Sequence, residues 1–416
     1  MPVLNYGLFS SEIRLKFPVS TSDFSLLNDL LDLFTGDIFI NKFVRRKNPY
    51  ILPQFLPLEH EITLENARPT AKIVPLALTE DAPISQGLTN YSCGILSSGG
   101  KESLLTYAML KEIGAEVHPL YVNESGGHWR TALVAYRKFA REEHNTGRVW
   151  TNVDRFYSFM LDNMRIIRPD HRKVWSDTYP IRLCIFPVYV FLFLPVFARR
   201  KIGNLLIGSE LDDPRTSPLF KGIKHYFGVY DQTQDFDLKM EQWYLKRMPE
   251  MRQWSAVRSI SGLVVERILA KRYPELAKVQ RSCHSCRFEK GKIIPCGQCS
   301  KCQGVLLFLL ANGVNPSIME YQKEDALSLP ERIAKGELRL DEDEREHAIF
   351  LSKMSGLAGR QLPHVESIHL HKSTSDIELI PTRFRIPLLR IMMEYTKGFT
   401  KLEGDAWVPT DSPEWL

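Results

Sequence analysis

Residues 91–123 run through a short apolar stretch, a loop of small residues, a helical pattern and a second apolar stretch. Tyr91-Ser92-Cys93-Gly94-Ile95-Leu96 reads as a buried strand, and Ser97-Ser98-Gly99-Gly100-Lys101-Glu102-Ser103 reads as a loop. LLTYAMLKEIG then carries apolar residues at helical spacing and ends on Gly114, a good position for a left-handed cap. EVHPLYV follows as a second strand. Strand, loop, helix and strand in so few residues make a βαβ unit, because two parallel neighbours need a crossover connection. The chain is therefore expected to be α/β, built on a parallel sheet.

KIGNLLIG, residues 201–208, is a further buried strand candidate, with Ser209-Glu210-Leu211-Asp212-Asp213-Pro214 just past its end. In open α/β sheets ligands sit beyond the carboxyl ends of strands, so the loops after Leu96 and Gly208 should share one edge. Main-chain N–H groups of a glycine loop at a helix N-terminus cradle phosphate oxygens. Gly99 and Gly100 allow close approach, Ser98 and Ser103 add hydroxyls, and Lys101 adds a charge that can reach phosphate. Glu102 either helps hold magnesium or acts as an acid in the helix's first turn. The loop is not a Walker motif, since Ile95 stands where the first glycine belongs, and no G-x-G-x-x-G occurs.

Five of the seven cysteines fall between Cys283 and Cys302, spaced C-x2-C-x9-C-x2-C-x2-C. Paired Cys-x2-Cys turns aim two sulfurs at one cation, and four thiolates satisfy a tetrahedral zinc. One zinc leaves one thiol over, and Cys286 or His284 can replace one member of any chosen set. An iron–sulfur cluster is the other metal reading of this spacing. After Cys302, GVLLFLLANGV reads as an apolar helix packed on the knot.

Hydrophobic residues make up 44% of 416 and charged residues 25%, as in soluble globular chains, which argues against disorder. Lys and Arg exceed Asp and Glu by only 54 to 49, too little to argue for nucleic acid. The opening residues lack a basic segment followed by an apolar run, so a cytoplasmic location is expected. Residues 183–198 are wholly apolar but contain Pro187 and Pro195 and fall short of the ~20 residues of a spanning helix. They read as a buried core helix, with no membrane expected.

Three regions are expected: an α+β accessory domain at 1–90, a core with its zinc knot at 91–315, and a mainly helical extension at 316–416. In the first, DFSLLNDLLDLF reads as a helix closed by Gly36. Residues 254–278 read as one helix, and DEDERE at 341–346 as a solvated helix face.

The loop S-G-G-K-E-S resembles the S-G-G-x-D-S pyrophosphate loop (PP-loop) of N-type ATP pyrophosphatases, with Glu102 in place of the usual Asp. With the later S-C…C-G-x-C-x-x-C, it resembles the 7-cyano-7-deazaguanine synthases of the queuosine pathway over residues 91–313. Pro180-Ile181-Arg182-Leu183 is similar to that family's P-x-R-N except at the last position, which makes Arg182 a candidate phosphate or substrate contact. Leu206-Ile207-Gly208 with Asp212 and Asp213 resembles the family's strand end and following acid.

The resemblance implies an α/β fold with a doubly wound, mostly parallel sheet and a zinc knot, and ATP, Mg2+ and Zn2+ as cofactors. It implies a catalytic set of Lys101, Ser103 and Arg182. Nucleotide contacts would come from Ser97, Ser98, Gly99, Gly100, Lys101, Glu102, Ser103 and Asp213, and zinc ligands from Cys283, Cys296, Cys299 and Cys302. His128, Trp129 and Arg130 are candidates to line the site. The implied reaction adenylates 7-carboxy-7-deazaguanine.

The family's enzyme is compact, whereas this chain adds about 90 residues before the loop and about 100 after the knot. Such additions resemble the synthase-like components of bacterial antiphage defence systems. These are expected to join the deazaguanine carboxylate to an amine of a partner protein. The alternatives are the housekeeping synthase, which uses ammonia, a tRNA-modifying PP-loop enzyme with Cys93, Cys184 or Cys286 as its thiol, and a non-catalytic scaffold. A homodimer is compatible with each.

Overall fold

The computed structural model describes residues 1–45, 48–174, 181, 184–215, 219–226, 229–283 and 285–416. Arg182, Leu183 and His284 lie outside them. A five-stranded sheet runs in the order Arg252–Trp254, Ile202–Ile207, Thr89–Leu96, Glu116–Asn123, Gly147–Trp150. The βαβ unit is present: Ser92 to Leu96 pair in parallel with Glu116 to Leu120 across the helix Lys101–Glu112. Gly114 takes a φ of 82° just after that helix, the left-handed conformation expected of it. Leu120 to Asn123 extend the parallel pairing to Gly147–Trp150 through the helix Gly127–Glu142. A mixed α/β architecture follows, and the strand candidate at 201–208 contains the sheet strand Ile202–Ile207, buried throughout.

The chain divides into two compact units, each discontinuous in sequence. One gathers Met1–Asn90, Asn152–Gly203 and Arg215–Gln253. Its central helix, Thr21–Ile38, starts where the Ser20 hydroxyl accepts from the Asp23 N–H at 3.2 Å. Leu26, Leu30, Leu31 and Phe34 form its buried stripe. The helix does not close at Gly36 but runs on into a wider turn at Phe39–Val44. Gly36 is a packing glycine: a side-chain carbon there would stand 3.2 Å from the Lys224 carbonyl. The apolar run forms the helix Phe186–Arg200, whose first turn is held by Asp231, accepting from the Ile185 and Phe186 N–H groups at 2.7 and 2.8 Å. Among the described residues no helix is long and apolar enough to cross a membrane.

The other unit gathers Tyr91–Thr151, Asn204–Pro214 and Trp254–Leu416. The stretch expected as one helix at 254–278 is split. Ser261 caps the helix Gly262–Arg272, accepting from Val264 N–H at 3.3 Å, and Pro274 opens the short turn Pro274–Ala277. Helix Gly262–Arg272 packs against Lys101–Glu112 and against Ser300–Ala311. Val305 to Leu309 of the last are all buried, each worth roughly 1.5–3 kcal/mol of apolar transfer.

The tail carries helices at Lys323–Leu327, Leu329–Ala334, Glu342–Ser352 and Thr382–Met393. Ile368–Leu370, Phe399–Glu403 and Ala406–Thr410 form a three-stranded sheet. Its hairpin turns on Gly404-Asp405, with Gly404 at a φ of 61°. Glycine at the first position of a two-residue hairpin is a readable signal, here outweighed by the helical patterns around it.

Candidate functional site

The loop after Leu96 is tied down residue by residue. Ser97 N–H donates to the Leu120 carbonyl at 2.8 Å, so the loop leaves the sheet in register. The Ser97 hydroxyl donates to Ser103 Oγ at 3.2 Å, and Ser103 bonds the Gly100 carbonyl at 3.1 Å. Gly99 has a φ of 76°, which favours glycine, and a side-chain carbon there would press on Ala135 at 3.2 Å. Gly100 caps the helix, leaving the exposed Ser98 at the loop's rim. The second loop meets the first as expected: at Gly208 an added carbon would stand 2.8 Å from Glu102 Cβ and 3.0 Å from the Ser103 nitrogen.

Lys101 is buried at 7% exposure, a setting that disfavours an ammonium unless it is paired. Burial pulls its pKa down, but Glu102 and then Glu210 outweigh burial and hold it raised. Its Nζ bonds Glu102 directly and Glu210 Oε2 at 2.7 Å. Glu102 therefore pairs with its neighbouring lysine. Burial raises Glu210 in spite of that same lysine. Further carboxylates press on this pair. Glu344 is pushed up to about 8, first by burial and then by Glu210. Burial likewise pushes Glu266 up to about 7.

Glu344 belongs to the DEDERE run, so that run is not simply a solvated face. Asp341 caps the helix by accepting from Asp343 and Glu344 N–H, and Glu344 then turns inward to accept from Leu263 N–H at 2.9 Å. A charge run shows composition, not which member a neighbouring helix will claim. Glu344 carries no signal of its own for that reason. The sequence signal for Glu210 was its place directly after the strand end.

Asp213, implied as a nucleotide contact, accepts from Trp407 Nε1 at 3.2 Å. His128 bonds Glu124 at 3.0 Å, and Trp129 stacks near Tyr136 with ring centroids 5.1 Å apart. Arg130 and Thr131 turn to the cysteine segment, donating to the Cys286 and Cys283 carbonyls at 3.4 and 2.7 Å.

The cysteine segment folds as a knuckle. Sulfurs of Cys283, Cys296, Cys299 and Cys302 all lie within 4.8 Å of one another, and Cys296 and Cys302 are 3.8 Å apart. A tetrahedral zinc with bonds of ~2.3 Å sets its sulfurs ~3.8 Å apart. These four thiols can therefore hold a metal ion such as zinc. Main-chain N–H groups already point at them: Ser285 and Cys296 at Cys283 Sγ, both at 3.3 Å, and Gln298 and Cys299 at Cys296 Sγ, both at 3.4 Å. Such donors stabilise thiolates.

Gly297 takes a φ of 72°, and a side-chain carbon there would overlap the Asp325 carboxylate. Arg332 donates to its carbonyl. Cys286 stays outside the set, with the Thr131 hydroxyl 3.7 Å from its sulfur. Cys93 and Cys184 are buried, and burial pushes both thiols up, so neither is a ready nucleophile.

The knuckle and the loop are joined. Arg281 N–H donates to the Gly99 carbonyl at 2.8 Å, and the Ser282 hydroxyl reaches to within 3.4 Å of where a Gly100 side-chain carbon would stand. The Arg281 guanidinium is buried and spends its donors on the carbonyls of Lys278, Gln280 and Ile293. The segment entering the cysteines is thus a wall of the loop. No family model matches the chain, and no curated protein matches it.

Proposed function

We propose that the chain is an ATP-dependent ligase that adenylates a carboxylate, 7-carboxy-7-deazaguanine by resemblance, and joins it to an amine of a partner protein. The observation that carries this reading is the Gly99-Gly100 loop, capping a helix after a parallel strand, with Lys101 at its base and the metal knuckle bonded to its back. Loop N–H groups and a lysine suit a polyphosphate. A carboxylate is a poor electrophile, and adenylation gives it a good leaving group.

The substrate oxygen attacks the α-phosphorus and pyrophosphate departs. The amine nitrogen then attacks the acyl carbon, AMP departs, and the nitrogen loses a proton. Lys101 would hold the departing phosphates, while Ser97, Ser98 and Ser103 orient them. Bound magnesium would offset the phosphate charge, with Glu102 and Glu210 the nearest carboxylates to Lys101. No nucleophilic side chain is needed, since positioning and electrostatics supply the rate. The four thiols would hold zinc as a structural ion beside the base pocket. Residues on both sides of the 91–313 core support a macromolecular acceptor over ammonia.

The test incubates the full chain with ATP and 7-carboxy-7-deazaguanine, with ammonium or with proteins that co-purify. AMP, pyrophosphate and a deazaguanine mass adduct on a partner protein are expected. Rapid, complete conversion to free nitrile with ammonium would sink the protein-ligase reading in favour of the housekeeping synthase. Absence of pyrophosphate release in both arms would sink adenylation.

A further inference from the structure

Four carboxylates, Glu102, Glu210, Glu266 and Glu344, gather near the single ammonium of Lys101. Lys101 already pairs with Glu102 and Glu210. Glu210 Oε2 and Glu344 Oε1 both converge over Gly262, 2.5 and 3.1 Å from where a side-chain carbon at that position would stand. Only the bare backbone of glycine leaves room for the two to meet. Glu266 lies one turn further along the same helix, on the same face as Gly262. It is fully buried. Its Oε2 accepts from Gln280, while its Oε1 has no hydrogen-bond partner among the described residues. Lys101, Glu102 and Glu210 all act on its charge. Carboxylates converging on one point, with an orphaned buried carboxylate oxygen on the same helix face, call for a second cation.

We propose that Glu210 and Glu344 form a magnesium seat that fills together with the nucleotide, so that the C-terminal segment supplies one of the site's metal-binding carboxylates. The proposal rests on the adenylating reading above. Before the nucleotide arrives, Lys101 holds the charge of Glu210. Phosphate then competes for Lys101, and the carboxylate it leaves takes the incoming cation. Magnesium is commonly bound by one or two carboxylates plus substrate phosphates, not by a full protein cage. That agrees with the described residues, in which the cysteine set is the only group of three or more ligands close enough to make a cage. Glu344 is aimed by two contacts of its own: the Asp341 cap that starts its helix, and the Leu263 N–H that its Oε1 accepts.

The test uses the full-length protein and Mn2+ as a spin probe, titrated with and without α,β-methylene ATP, which cannot be cleaved at the reacting bond. Wild type should retain Mn2+ only when the nucleotide analogue is present. Glu344→Gln should weaken that retention about 10- to 100-fold. Glu346→Gln, on the same helix but paired with Arg345, should not. Gly262→Ala keeps every carboxylate but fills the space between two of them, and should weaken Mn2+ as Glu344→Gln does. It answers the question if Glu344→Gln fails to fold. Unchanged Mn2+ retention in a folded Glu344→Gln or Gly262→Ala variant overturns the proposal. Because the readout is metal retention, it stands even if no carboxylate is adenylated. Loss of pyrophosphate release with intact Mn2+ binding would count against the ligase reading alone.

Discussion

The cysteine knuckle and the lysine–glutamate cluster differ in how far the chain travels to build them. The knuckle comes from residues 283–302, and its four thiols are brought together by two short turns. The cluster needs Lys101, Glu102, Glu210, Glu266 and Glu344, brought together by the loop, a neighbouring strand end and two helices. The first is set by close spacing along the chain, and its four thiols could hold a metal ion. The second exists only once the unit has packed, and its charges are held in partial conflict. Local spacing makes a site legible, and long-range assembly hides it.

The largest expected effect falls on the local site. Cys302→Ser removes a fully buried thiol from the set, and the protein should lose its metal and much of its stability. Structural zinc contributes on the order of 10 kcal/mol of apparent binding energy in small domains. Elemental analysis should find one metal ion per chain in wild type and almost none in the variant, with a lowered melting temperature. Full metal content in a stable Cys302→Ser protein would break the contrast drawn here.

Lys101→Met should act on the other site alone. Pyrophosphate release is expected to fall about 100-fold or more, as when a transition-state donor is lost, while metal content stays at the wild-type level. A fall in both would mean that the two sites form one cooperative whole.

Glu266→Gln sharpens the claim that the cluster stores charge at a cost. Burial raises the pKa of Glu266 to about 7 in the folded state, above its unfolded value. Its contribution to stability is therefore fully present below the unfolded pKa of about 4.3 and is lost as the pH rises through about 7. Glutamine keeps the shape and cannot ionise. Denaturant titrations from pH 4 to 8 should show a flatter pH dependence in the variant. The difference at pH 8 is on the order of 4 kcal/mol at most. Parallel curves would place Glu266 outside the charged cluster.

The smallest effect concerns Asp213. Trp407→Phe removes the indole donor to that carboxylate, at a cost of about 1 kcal/mol, measured by chemical denaturation. If nucleotide affinity also changes, Asp213 serves the site as well as the tail.

Much of the fold was legible because it rests on local pattern. The strand at 91–96, its helix, the cap at Gly114 and the second strand each carry their own signal, and the cysteine spacing marks a metal knuckle while leaving open which four of five thiols close it. Gly36 misled because a glycine that ends a helix and one that admits a neighbouring backbone look alike in sequence. The small sheet of the tail was hidden because its strands are only three to five residues long. Glu344 misled because a run of six charged residues does not say which one will turn inward.

The sequence by itself determined the α/β unit, the glycine loop and the thiol set, since backbone conformation and ligand spacing act over a few residues. Only the tertiary structure decided that Arg281 braces Gly99, that Asp325 needs a glycine at 297, and that Glu210 and Glu344 meet over Gly262. Those are contacts between residues far apart in the chain. They are set by the packing of helix on sheet, which no local pattern encodes.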